Sequence, residues 1–87
     1  MKILRGDPFK RDFQSLAEDV RRRAEKAIRL LAENPRHPSL RAKKIKGLED
    51  VWEASVSMSY RITYQIQGDT LILRRIGTHD VLRRETR

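Results

Sequence analysis

The sequence contains no cysteine. Neither a disulfide framework nor a thiolate metal site can therefore be built, and a chain without disulfides suits a reducing, cytosolic compartment. There are two histidines, His37 and His79. They lie far apart and lack the i, i+4 spacing of a helical ligand pair, so no metal is expected. No stretch approaches the roughly 18 apolar residues of a membrane span, and "MKILRGD" is too short for the apolar centre of a signal peptide. A soluble protein with no membrane contact is expected. Apolar residues fill only 38% of the 87 positions, which allows one thin core and a single domain over 1–87.

Positive charge is what the chain has in excess. Twenty Lys+Arg against twelve Asp+Glu give a formal charge of +8 and a pI near 10.6. Such a balance favours a polyanion or an acidic protein as partner, although a solvated lysine-rich surface would look the same in composition. Where the charges fall must separate the two.

Periodicity organises the chain. "KIL" at 2–4 reads as an extended start, and Asp7 before Pro8 reads as a helix N-cap with proline at the first helical position. Phe9, Phe13, Leu16, Val20, Ala24, Ala27, Ile28 and Leu31 then recur every three or four residues with charged residues between them, an amphipathic pattern running to about Asn34. That length, with Ser15 and Glu18 spaced for a capping box, predicts a hairpin of two helices broken near 15–18. Pro35 ends the second helix by disfavouring helical geometry at Asn34. "SLRAKKIKG" follows as a short basic extended segment closed by Gly47. "VWEASVSM" and "YRITYQIQ" alternate apolar and polar side chains, and Gly68-Asp69 turns the chain into "TLILRRIG". These three runs predict an antiparallel meander.

Counting faces gives the fold class: α+β, a two-layer domain with an N-terminal helical hairpin on one face of a mainly antiparallel sheet of four to five strands. The other sheet face is expected to be open. If Tyr60, Ile62, Tyr64 and Ile66 point inward with Trp52, Ala54, Val56 and Met58, then Arg61, Thr63 and Gln65 point outward beside Glu53, Ser55 and Ser57. Ile45 as a core residue leaves Lys44 and Lys46 outward, and Arg74 or Arg75 joins them. His79 and Asp80 follow at the rim, just past Gly77. The set is suited to holding phosphates beside a group that moves protons near neutral pH. Charges on an exposed sheet also block strand-to-strand aggregation, and a histidine in a loop can be purely local structure. His37, between Pro35 and Pro38, is read as structural.

With "NPRHPSL" after the helices, "KIKGLEDVWE", "SYRITYQI" and "LRRIGTHDVL", nearly the whole chain resembles the RelE/ParE superfamily of toxins from bacterial toxin–antitoxin systems. The "GTH" ending is most similar to the YafQ-like branch of ribosome-dependent mRNA endonucleases. The resemblance implies a cytoplasmic toxin that cuts mRNA on the ribosome, by 2′-hydroxyl attack on the adjacent phosphate without metal or cofactor. It also implies a cognate antitoxin that wraps the toxin. By position, Arg61 falls on the strand arginine that stabilises the phosphate and His79 on the acid/base position after the last strand. Lys43, Lys44 and Lys46 match the basic strand that contacts RNA or ribosome, with Arg74 and Arg75 beside them. Active members usually carry basic or imidazole side chains where this chain has Glu53 and Ser55. The acidic residue usual before Tyr60 is Ser59, and no tyrosine stands near the C-terminus. Glu53 or Asp80 is then left as a second proton-transfer group. A non-enzymatic inhibitor of DNA gyrase, as in the ParE branch, and an attenuated relative that only binds antitoxin stay open as alternatives.

Overall fold

The computed structural model describes residues 1–85. Strand β1 (Lys2–Arg5) leads into helix α1 (Asp7–Gln14) and helix α2 (Glu18–Glu33), and a 3-10 turn at Pro38–Leu40 precedes β2 (Lys43–Lys44). Strands β3 (Trp52–Ser55), β4 (Arg61–Gln67) and β5 (Thr70–Gly77) follow, and a short helix α3 (Asp80–Glu85) comes last. The sheet order is β1-β5-β4-β3-β2, antiparallel throughout except for the parallel pair β1 and β5. The meander expected from alternation is β3-β4-β5, and "KIL" supplies the fifth strand at the far edge.

Two local features set the entry to the helices. The Gly6 N–H donates to the Leu73 carbonyl at 3.0 Å, and a Cβ at Gly6 would stand 3.2 Å from that same oxygen. A side chain there would press on β5, so glycine lets β1 turn into α1 without leaving the sheet. Gly6 is also the N-cap, with Asp7 the first helical residue. The N-cap expected at Asp7 thus moves back by one residue, and the Asp7 carboxylate serves the positive helix start from within the first turn.

The hairpin breaks where expected, between Gln14 and Glu18, but no capping box forms. Ser15 is the C-cap of α1, where its hydroxyl donates to the Asp12 carbonyl, and Ala17 is the N-cap of α2. Close to the break, the Arg21 guanidinium donates to the Leu16 carbonyl at 2.8 Å, giving the orphaned α1 end a charged donor. The core joins Phe9, Ala24, Ala27, Ile28 and Leu31 from the helices to Ala54, Ile62, Tyr64, Leu71, Leu73 and Ile76 from the sheet. Arg5 closes its edge, pairing with Glu25 and lying over the Phe9 and Phe13 rings.

The sheet departs from simple alternation in two places. In β5, Leu71, Leu73 and Ile76 are buried, because the ladder opposite β4 skips Arg74: Tyr64 faces Leu73 and Thr63 faces Arg75. One extra residue in β5 restores Ile76 to the core. At the β3–β4 turn, Met58 does not point inward as alternation would have it. The chain has already reversed through Val56 N–H and Ser57 N–H to the Tyr60 carbonyl, which leaves Met58 97% exposed.

Candidate functional site

The second sheet face is not open as expected, since α3 packs against β4 and β5. It lies on the face that carries Gln65, because Glu85 at its end pairs with Arg74, which in turn donates to Gln65. Val81 is buried, and so are Glu53 and Thr63, both expected outward. Alternation put those side chains on the right face. What it could not supply was the short C-terminal helix that packs on β4 and β5.

Arg61 and Glu53 form the centre of this face. Ser55 is the ladder partner of Arg61 and Thr63 that of Glu53, which makes Arg61 and Glu53 diagonal neighbours within reach of long side chains. The Arg61 guanidinium lies 3.2 Å from Glu53 Oε1 and donates to Ser55 Oγ, also at 3.2 Å. The side chains are 21% and 5% exposed. Although within ion-pair distance of the guanidinium, Glu53 Oε1 accepts no hydrogen bond. The contact is Coulombic, and a lone pair of the carboxylate is unused.

Across the β4–β5 ladder Arg61 faces Gly77. The turn at Thr78 and His79 therefore starts beside the arginine, and its backbone is set when the Leu82 and Val81 N–H groups bond back to the His79 and Thr78 carbonyls. His79 and Asp80 are exposed. The structure thus brings together the segments carrying Arg61, His79 and Asp80 at one end of β4 and β5.

The basic residues divide differently from expectation. Lys43 is the ladder partner of Glu53 and Lys44 that of Trp52. Directly paired residues project to the same side, so Lys43 shares the Arg61 face and Lys44 lies on the helix side, the reverse of the sequence-based assignment for Lys44. Lys46 is exposed in the turn beyond β2. Arg74 faces α3 through Glu85. Arg75 is drawn to α1, where Asp12 receives Nε at 2.7 Å, Nη2 at 2.9 Å and the Ile76 N–H at 3.2 Å. Neither arginine is free for RNA in this arrangement. His37 is structural, as read: its Nδ1 accepts from the Ser39 N–H and caps the 3-10 turn. Among the described residues no cluster of His, Asp and Glu could hold a metal ion, and no helix is long and apolar enough to cross a membrane.

A small five-stranded α+β sheet domain of this order is shared with solved toxin structures. The YoeB/ParE toxin from Agrobacterium tumefaciens superposes with a TM-score of 0.79 at 18% identity, over 91% of this chain and 99% of the other. YafQ from Escherichia coli strain BL21(DE3) gives 0.78 at 17%, over 93% and 96%. A chain of the RelB–RelE antitoxin–toxin complex from Methanococcus jannaschii gives 0.75 at 24%, over 92% and 94%. No match is found among curated protein sequences. The sequence model for the ParE toxin of the type II toxin–antitoxin system parDE matches residues 5–82. The chain belongs to this toxin family, within the RelE/ParE superfamily.

Proposed function

We propose that the protein is a toxin that cleaves mRNA on the ribosome and is held in check by a cognate antitoxin. The observation that carries the reading is the Arg61–Gly77 pairing, which begins the His79 turn beside a guanidinium already oriented by Glu53 and Ser55. In the cleavage step a ribose O2′ forms a bond to the adjacent phosphorus and the P–O5′ bond breaks. The 2′-hydroxyl proton passes to a base, and the departing O5′ receives a proton. Arg61 would neutralise the charge developing on the phosphoryl oxygens, a task for a fixed guanidinium fork. His79 would transfer one proton, with Asp80 or the unused lone pair of Glu53 as the second group. Lys43 would add a phosphate contact on the same face. RelB in the M. jannaschii complex is an antitoxin bound to RelE, which supports an antitoxin partner here.

The test is purified protein on ribosomes programmed with mRNA. Cleavage products ending in a 5′-hydroxyl are expected, with a loss of roughly 10²- to 10⁴-fold in His79→Ala and a comparable loss in Arg61→Ala. Full activity in His79→Ala removes the catalytic assignment.

A second reading, inhibition of DNA gyrase by binding, is favoured by one observation. Arg61, Arg74 and Arg75 are all engaged by carboxylates, an arrangement that builds a shape more readily than it binds phosphates. Inhibited supercoiling with intact mRNA would select it.

A further inference from the structure

Each of the arginines on β4 and β5 holds a carboxylate, but the three carboxylates are not equally fixed. Glu53, beside Arg61, belongs to β3, a strand paired on both sides. Asp12, on Arg75, belongs to α1 and also takes the Ile76 N–H. Glu85, on Arg74, is the last residue of α3, a helix of six residues. A helix that short has no stability of its own. Val81, buried near its start, and Glu85 at its end tie it to the sheet.

The Glu85 carboxylate meets the guanidinium with both oxygens, taking Nε on Oε2 and Nη2 on Oε1, while Nη1 donates to Gln65 Oε1 at 3.0 Å. A guanidinium fork takes a phosphate in the same two-oxygen geometry. Gln65 shares one face of β4 with Arg61, about 13 Å along the strand at its usual rise, and Lys43 stands on that face as the ladder partner of Glu53. Between Arg61 and Gln65 the Thr63 hydroxyl is buried and has no hydrogen-bond partner among the described residues. Cations spaced along one side of a sheet, with an unused donor between them, suit a flexible chain that repeats its negative charge, as a nucleic-acid backbone does.

We infer that Glu85 stands in for a phosphate, and that α3 is a displaceable cap on a phosphate subsite formed by Arg74 and Gln65, opened when a single-stranded nucleic acid runs along β4 from Arg61. The exchange replaces one ion pair by another. Because α3 begins directly after His79, its release also frees the turn that carries the imidazole. The inference rests on reading the Arg61 face as an RNA surface, and it does not require cleavage.

The probe is a fluorescein-labelled 2′-O-methyl oligoribonucleotide, which has no attacking hydroxyl, titrated against the full-length protein by anisotropy. Glu85→Gln should bind it roughly tenfold more tightly than wild type, the worth of one charged hydrogen-bonded contact. The slope of log affinity against log salt should steepen by about one, because Arg74 then meets the phosphate without a resident carboxylate. Glu33→Gln, the same change of charge at an exposed position of α2, should give neither effect. In an Arg74→Met background the gain from Glu85→Gln should vanish. Saturating wild type with the probe should raise amide exchange over Asp80–Glu85. Circular dichroism checks that each variant folds. Equal gains from Glu85→Gln and Glu33→Gln overturn the inference, as does a gain that survives Arg74→Met. Absence of binding overturns it, and so does greater protection of α3 in the complex. Polyglutamate that opens α3 where the oligonucleotide does not overturns it as well. Ribosomal cleavage without the Glu85→Gln gain removes the cap and leaves the proposed function, whereas the gain without cleavage does the reverse.

Discussion

The carboxylate of Asp12 in α1 grips Arg75 in β5 with two hydrogen bonds and takes the Ile76 backbone N–H as a third. These residues are more than sixty positions apart in the chain. Strand β1 ends its pairing at Leu73, so the stretch of β5 beyond it would present unpaired backbone groups. Asp12 satisfies one of them and neutralises the arginine, fastening the strand that delivers the His79 turn.

Asp12→Ala should therefore destabilise the fold by about 2 kcal/mol, the cost of stranding a charged donor and a backbone N–H. For a domain of this size that lowers Tm by roughly 8–16 °C. Thermal unfolding measures it, and a shift within about 0.5 kcal/mol would show that water replaces the carboxylate without loss.

His79→Ala should leave stability within about 0.5 kcal/mol of wild type, because its side chain is exposed. Its loss should be read only in activity. Urea unfolding run alongside the cleavage assay separates a chemical role from a structural one.

Glu53→Ala should be more costly, about 1–3 kcal/mol, because it leaves the Arg61 charge on a partly covered face without its counterion. A Glu53→Leu/Arg61→Met double variant should recover part of that loss, since removing both charges also removes both desolvation penalties. An additive double variant would mean that the pair is not coupled.

Val81→Asp should detach α3, which buries Val81 against the sheet. Amide exchange over Asp80–Glu85 should rise roughly tenfold or more while β4 and β5 keep their protection. Equal loss of protection in the sheet would make α3 part of the global folding unit.

Burial raises the Tyr64 phenol to about 12 from its ordinary value of 10.0. The folded state then holds a proton that the unfolded chain gives up between these values, so stability falls as pH climbs from about 10 to 12. The slope should be no steeper than roughly 1.4 kcal/mol per pH unit. In a Tyr60→Phe background, which leaves Tyr64 as the lone phenol, ultraviolet titration should place phenolate formation near 12 or at unfolding. Stability in the Tyr64→Phe variant should lack this step.

The sequence alone determined the helical hairpin, its break after Gln14, its end before Pro35, the three-strand meander and most of the core. Each follows from spacing along the chain, with period 3.6 over Phe9–Leu31 and period 2 over Trp52–Ile66, and from proline or glycine at the ends. It also placed Arg61 on the face away from the helical hairpin. Tertiary structure alone decided which cations remain free. Arg75 meets Asp12, Arg74 meets Glu85 and Arg61 meets Glu53 through pairings that no local pattern encodes, and a one-residue bulge in β5 reset the parity that would have sorted the two arginines. Likewise α3 is a helix of only six residues, too short for a periodic signature, so its packing on β4 and β5 came only from the tertiary fold. Short-range sterics and hydrophobic period are written residue by residue, whereas ion pairing depends on which distant side chains the completed fold brings within a few ångströms.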